Sequence, residues 1–245
     1  MNKKILGSAI VMAFAAAGVS TSASAALATN ANLSFTACTL NSAGYCNASG
    51  GSYFGMDASG DGIVKASERT SISSLNGINI GTAQSASGTH NGLPTGLETS
   101  DNIDNAWGFF KNTGMHQTTV PVTIVSQGAG TAVLDFSGWN VTWNTIPSIN
   151  MGSTAWNGNV NGQANMTCSS ANCAVGDTYV LNYSATVPVG DLSGFGGVPY
   201  LLHLEGIVGA GAVVPPNPIP VPAAAWLFGS GLLGLAGIAR RRKTA

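Results

Sequence analysis

The strongest constraint on the fold is a two-residue alternation of apolar and polar side chains in the second half of the chain. The apolar members are Tyr179, Leu181, Tyr183, Ala185 and Val187. Successive side chains of a strand point to opposite faces, so the pattern predicts a half-buried strand that ends at Pro188. Residues 200–208 repeat it, with two leucines on one face and His203 and Glu205 on the other.

A hairpin is predicted before this strand. Residues 119–125 alternate, the run 127–130 turns the chain, and Thr131 to Phe136 returns. Residues 70–117 are interrupted by Gly and Pro, so we expect long loops there, with at most short helices around Ser67–Leu75 and Ile103–Lys111. Short strands and frequent turn residues predict a mainly β fold, an antiparallel β-sandwich with long loops.

Charge is scarce and unevenly placed. Of the nine basic residues, two lie at the N-terminus and four in 240–243, which leaves three in the central part of the chain against all ten acidic residues. A net-negative domain has no basic patch for phosphates, so we do not expect a nucleic-acid partner. Hydroxyl and amide groups must supply the polar surface, as in β-rich extracellular proteins with many turns.

The N-terminus has the features of a signal peptide. Lys3 and Lys4 precede an apolar stretch from Ile5 to Val19, and Ala23-Ser24-Ala25 fits a small-x-small cleavage site. We therefore expect residues 1–25 to be a signal peptide and Ala26 to begin the mature protein. An ordinary buried helix or a retained anchor is the alternative.

The C-terminus has the features of a membrane span. Residues 223–239 carry no charge, and a helix of that length spans roughly 25 Å, the short end of the transmembrane range. The basic tail, 240–245, should stay in the cytoplasm, which places the domain of residues 26–214 outside it. The Pro-rich segment 215–222 is expected to be an extended, accessible spacer.

A specific resemblance begins within this spacer. The run Ile219-Pro220-Val221-Pro222-Ala223, followed by an apolar stretch and four basic residues, resembles the VPLPA subtype of the PEP-CTERM sorting signal. Ile219 replaces Val and Val221 replaces Leu, and the likeness covers only residues 219–245. It implies recognition by an exosortase, cleavage near the Pro motif, and export by Gram-negative bacteria that make exopolysaccharide.

The resemblance also implies a localisation. The chain would be held transiently in the inner membrane and would then reach the cell surface or the extracellular matrix, with exopolysaccharide as a candidate partner. A plain single-span anchor that is never processed is the alternative.

The four cysteines form two close pairs in the sequence, Cys38 with Cys46 and Cys168 with Cys173. Four thiols allow three pairings, and the spacing alone does not choose among them. Export to an oxidising compartment favours disulfides, and turn residues lie between the members of each pair. We therefore expect the two local bridges.

One segment has the spacing of a cation-binding loop. Residues 57–68 match the twelve-residue EF-hand-type loop, with Ser59 in place of the usual Asp or Asn. The expected Ca²⁺ ligands are side-chain oxygens, one carbonyl and a bidentate carboxylate, in the order Asp57, Ser59, Asp61, Ile63 and Glu68. An affinity on the order of 10⁻⁴ to 10⁻³ M would suit a structural, extracellular site.

Two features depart from a complete EF-hand. The preceding residues 51–56 read as a strand and not as an entering helix, and Lys65 occupies the ninth position, where an oxygen or a water is usual. Val64 is the apolar residue expected to pack beneath the loop. The alternative is an Asp/Gly turn that binds nothing.

No catalytic motif appears in the sequence. The histidines are His90, His116 and His203, and neither a zinc-protease nor a nucleophile-elbow pattern is present. We therefore expect a noncatalytic protein. The alternative is a secreted carbohydrate-active enzyme that uses His116 with Asp101 or Asp104.

A carbohydrate-binding module is a further alternative, because several tryptophans lie beside Asn, Gly or Ser. They are Trp107, Trp139, Trp143 and Trp156. We expect these indoles to fill the core, because tryptophan is highly buried on average.

Overall fold

The computed structural model describes residues 26–47, 50–86, 88, 90–98, 103–152, 156, 158 and 160–211. The expected signal peptide, spacer, membrane helix and basic tail lie outside these residues. Within them, no helix is both long and apolar enough to cross a membrane.

The described chain contains thirteen strands and one short 3₁₀ turn, Ala66–Glu68. The strands are β1 (Asn32–Phe35), β2 (Tyr53–Met56), β3 (Arg69–Ser71), β4 (Ile78–Asn79), β5 (Trp107–Phe109), β6 (Asn112–Thr118), β7 (Thr123–Gly128), β8 (Thr131–Asp135), β9 (Trp139–Trp143), β10 (Ile146–Asn150), β11 (Gln163–Cys168), β12 (Thr178–Thr186) and β13 (Pro199–Gly209).

These strands form two sheets. The larger has nine strands, seven of them in the order β3-β2-β13-β12-β11-β8-β7, with β1 pairing with β13 and with β4. The smaller has four strands in the order β10-β9-β6-β5. All pairings between these strands are antiparallel, so the prediction of a mainly β, antiparallel fold is confirmed.

The alternating segments form adjacent strands of the larger sheet, as predicted. β12 pairs with β13 along nine residues, and Leu202 and Leu204 are completely buried while His203 and Glu205 lie on the outer face. β12 ends two residues before Pro188. Both strands therefore bury one face and leave the other partly in solvent.

The inner faces of the two sheets share one apolar core. Phe54 of β2 meets Trp107 of β5 with ring centroids 4.3 Å apart, and Phe54 also packs against Phe109. Aromatic contacts of this kind add about 0.5–1.5 kcal/mol to the free energy gained from area burial. Two antiparallel sheets with a common core are consistent with a β-sandwich.

The helix expected over Ser67–Leu75 is wrong. Only the 3₁₀ turn Ala66–Glu68 is helical, and Arg69–Ser71 forms β3 beside β2. Threonine and serine have weak helix propensity, and the backbone of β2 offers a full row of hydrogen-bond partners. Tertiary pairing therefore overrides the local pattern.

The helix expected over Ile103–Lys111 is also wrong. The segment contains β5, and a two-residue turn at Phe110 and Lys111 leads directly into β6. Both turn residues have positive φ, 46° and 64°, which is usual in tight hairpins but is normally signalled by Asn or Gly. Phe110 and Lys111 carry no such signal.

The two disulfides join the expected partners, Cys38 with Cys46 and Cys168 with Cys173. Each closes a short local loop. The second lies where β11 ends, in the connection to β12. The predicted hairpin is also present, although β7 begins at Thr123, later than the alternation suggested.

Candidate functional site

The loop of residues 57–68 connects β2 to β3 at one edge of the larger sheet. The element before the loop is therefore a strand, as the sequence indicated, and not the entering helix of an EF-hand. Val64 is buried beneath it. A Cβ on Gly55 of β2 would lie only 2.4 Å from Val64 Cγ1, so glycine there lets the loop pack onto the strand.

Asp57 organises the first half of the loop. Its side chain is buried, and Oδ1 accepts the backbone N–H groups of Gly60 at 2.8 Å and Asp61 at 3.2 Å. Oδ2 accepts the N–H of Gly62 at 2.7 Å. Gly62 has φ +85°, a conformation that side chains disfavour, so this sharp turn requires glycine.

Glu68 closes the loop from its far end. Oε1 accepts the N–H of Ser59 at 2.8 Å, and Oε2 accepts the N–H of Lys65 at 2.9 Å. Desolvation alone would raise the pKa of Glu68, but these backbone hydrogen bonds outweigh it and lower the pKa. Both ends of the loop are therefore joined through side-chain-to-backbone bonds.

Lys65 places a positive charge inside the set of expected ligands. Its ammonium contacts the carboxylate of Asp61 and donates to Ser59 Oγ at 3.3 Å. The hydrogen bond from Lys65 lowers the pKa of Asp61, and Asp61 in turn raises the pKa of Lys65. The ninth position of Lys65 is unusual in the sequence pattern, but the pattern does not indicate that its side chain folds back onto the loop.

The structure brings the oxygen-bearing side chains of the expected site onto one loop. Ser59 Oγ lies 3.4 Å from Asp57 Oδ1, and the N–H of Ile63 donates to Asp61 Oδ1 at 3.2 Å. A carboxylate oxygen has two lone pairs, so Asp57 Oδ2 and the two oxygens of Glu68, each of which accepts one backbone N–H, can still bind a cation. Among the described residues, however, no three His, Cys, Asp or Glu side chains are already grouped as for a metal ion.

The three histidines lie in three different places, and each contacts one carboxylate. His90 meets Glu98 in the loop before β5, His116 of β6 meets Asp104 in the core, and His203 meets Glu205 on the outer face of β13. Asp101 lies outside the described residues. The charged pairs therefore do not combine into a single site.

The pair His116 and Asp104 is part of a buried polar network. Asp104 Oδ1 accepts the backbone N–H of His116 at 2.9 Å, and Oδ2 accepts the indole N–H of Trp107 at 3.0 Å and contacts His116 Nδ1. A single proton lies between His116 Nδ1 and Asp104 Oδ2 in this contact. His116 Nε2 lies 2.7 Å from Tyr200 Oη, which also accepts the indole N–H of Trp139 at 3.2 Å.

This network links the two sheets and lies in the buried core. His116 belongs to the smaller sheet and Tyr200 to the larger, and the side chains of His116 and Asp104 are 0% exposed. Burial raises the pKa of the Tyr200 hydroxyl, so it remains protonated and can donate to His116 Nε2. Every polar atom of the network then has a partner.

Asp104 was one of the two carboxylates expected beside His116, whereas the contact with Tyr200 was not predicted. A signal was present, because Tyr200 continues the alternation of Leu202 and Leu204 on the buried face. A tyrosine at such a position needs a hydrogen-bond partner, and a buried histidine supplies one.

The four tryptophans in the described residues do not form an exposed sugar-stacking surface. Trp107, Trp139 and Trp143 are buried members of the common core, as expected, and Trp156 is partly exposed. The indole N–H of Trp143 donates to the carbonyl of Phe109 at 2.9 Å. Three of the four indoles therefore have no face that a sugar ring could stack upon.

Comparisons with protein-family models, with curated proteins and with solved structures found no match. The assignment of function therefore depends on the residues and their geometry.

His116→Phe should destabilise the fold strongly. The ring remains, but the Asp104 carboxylate loses a donor and the Tyr200 hydroxyl loses its acceptor. Breaking a buried pair by removing one partner costs about 3–5 kcal/mol. Urea unfolding should show a loss of this size, whereas His90→Gln, which breaks a partly exposed pair, should cost about 0–1 kcal/mol. Equal losses in the two variants would contradict the structural role of the network.

Glu98 should make stability depend on acid pH. Desolvation would raise its pKa, but hydrogen bonds from the Thr95 and Gly96 amides and the Thr95 hydroxyl hold the pKa at about 2, below the ordinary 4.5. A lowered folded-state pKa stabilises the protein above pH 4.5, and this contribution disappears as pH falls through about 2.

Unfolding free energies of the wild type and of Glu98→Gln should therefore differ at pH 6 and converge near pH 2. A difference that stays constant across this range would show that the ionised carboxylate is not responsible.

Proposed function

We propose that this chain is an exported, noncatalytic protein of the bacterial cell surface or extracellular matrix, built on a β-sandwich and processed by an exosortase. The observation that carries the proposal is that both cysteine pairs form local disulfides. Disulfides persist in oxidising compartments and are rare in the cytosol, so they support export. The signal-peptide and sorting-signal features of the sequence also favour export.

The burial of the polar network supports a noncatalytic role. A general acid or base must come within hydrogen-bond reach of a substrate, and the His116–Asp104 pair is enclosed by the aromatic core. Its hydrogen bonds are made to protein groups that join the two sheets. A carbohydrate-active enzyme would need a different, accessible pair.

We also propose that residues 57–68 bind Ca²⁺ and that this stabilises the protein. Asp57, Ser59, Asp61 and Glu68 supply hard oxygen ligands, with the carbonyl of Ile63 as a fifth. The backbone bonds to Asp57 and Glu68 hold the loop near a closed form before any cation arrives. Lys65 must withdraw from Asp61 when the cation enters, because both positive charges compete for one carboxylate.

Calcium binding should raise the melting temperature, and chelation should lower it. A ligand that binds only the folded state adds about 2.7 kcal/mol at one hundred times its Kd. Glu68→Gln should weaken binding strongly, because it removes a charge and the bidentate closure, whereas Ser59→Ala should matter less. Magnesium should replace calcium poorly. Titration calorimetry and thermal unfolding with and without chelator would measure these effects.

The position of Lys65 gives a sharper test. Lys65→Met should raise calcium affinity, because the ammonium of the wild type competes with the cation for the carboxylate of Asp61. Lys111→Met removes the same charge from the turn between β5 and β6 and is the matched control. No calcium binding at millimolar concentration by wild type and Lys65→Met alike would show that the loop is only a turn.

The exosortase assignment predicts loss of the C-terminus during maturation. Intact-mass analysis of the exported protein should show a chain that lacks residues 223–245 when the host exosortase is active. Pro220→Ala with Pro222→Ala should block this processing, because it disrupts the five-residue motif.

Pro218→Ala is the matched control, because it lies just before the motif and should leave processing intact. Recovery of the complete C-terminus from the exported wild-type protein, in a strain with an active exosortase, would overturn the assignment.

A further inference from the structure

β7 forms an open edge of the larger sheet. Its six residues, Thr123–Gly128, pair with β8 on one side, and within the described chain no strand pairs with the other side. All its side chains are exposed except that of Ile124, which is partly buried against the core. One row of backbone N–H and C=O groups therefore faces outwards along a strand that is accessible from both faces.

This edge lacks three of the usual protections against pairing with another chain. Natural edge strands are commonly blocked by charged side chains, by proline or by shortness. β7 contains no charged residue and no proline. In contrast, β3 has three residues and begins with Arg69, β10 contains Pro147, and β5 has only three residues.

We infer that β7 is an association surface, and that its partner is β7 of a second copy of this chain in antiparallel orientation. An antiparallel edge is self-complementary about a two-fold axis, because each strand offers the donors and acceptors that the other needs. With one long open edge in the described part of each chain, the association closes at two copies. A β-bulge at Val125 adds local twist, which disfavours growth into a flat, extended sheet.

The distribution of charged residues favours a second copy of the chain as the partner of β7. The domain carries ten acidic residues against three basic ones, so two copies repel over most surfaces. The β7–β8 hairpin contains one charged residue, Asp135, opposite Thr123 at one end. In a two-fold pair centred on β7, the two Thr123 residues lie about 17 Å apart at a rise of about 3.4 Å per residue. Repulsion between the Asp135 carboxylates over that distance is largely screened at physiological salt.

An interface between two six-residue strands buries little surface, so the association should be weak and reversible. Analytical ultracentrifugation of the purified exported protein over a concentration series should show a monomer–dimer equilibrium. Val125→Lys places a charge in the centre of the edge and should weaken dimerisation at least ten-fold. Val180→Lys is the matched control, because Val180 is also exposed but lies in β12, inside the sheet.

Mixing Val125→Lys with Val125→Glu should restore dimers, because opposite charges then meet across the interface between the two strands. Hydrogen exchange provides a test without mutation, since β7 amides of the wild type should become more protected as concentration rises. A wild type that stays monomeric at every concentration would overturn the inference. Equal weakening by Val125→Lys and Val180→Lys, or concentration-dependent protection at a site other than β7, would also overturn it.

Discussion

A buried carboxylate, that of Asp104, determines how the two sheets meet. It accepts N–H groups from Trp107 of β5 and His116 of β6, and His116 extends the chain of bonds to Tyr200 of β13. Burying a carboxylate without partners costs several kcal/mol, so alternative packings that separate these groups are strongly disfavoured. Apolar contacts supply most of the core, but they tolerate small shifts between the sheets. The directional bonds of the network do not.

Scarcity of charge has consequences for the rest of the surface. With charged residues at 8% of the chain, solubility depends on hydroxyl and amide groups, and most sheet edges cannot be protected by lysine or glutamate. Short strands and Pro147 protect some edges instead. β7 has neither, which is why its exposed backbone stands out in a molecule whose other polar groups are mostly paired.

Periodicity predicted the strands whose two faces differ in environment. β12 and β13 each bury one face, so alternation was visible in the sequence, and so was the return of the β7–β8 hairpin. β5 and β3 were misread because each has three residues, too few to show a period, and because the turn at Phe110 lacks Gly or Asn. Which carboxylate, Asp101 or Asp104, meets His116 depended on long-range packing, which no local pattern contains.

The loop of residues 57–68 was likewise predicted only in part from the sequence. Spacing predicted which side chains carry the oxygens, because the twelve-residue pattern is local, but it did not reveal that Lys65 contacts Asp61.

Two opposing effects on cation affinity follow from the structure of this loop. Bonds from backbone amides to Asp57 and Glu68 order the loop in advance, which lowers the entropy lost on binding. The ammonium neutralises part of the negative charge that attracts the cation. Asp61 and Lys65 are both substantially exposed, so solvent screens the competition between the ammonium and the cation. The ordering of the loop should therefore have the larger effect on cation affinity.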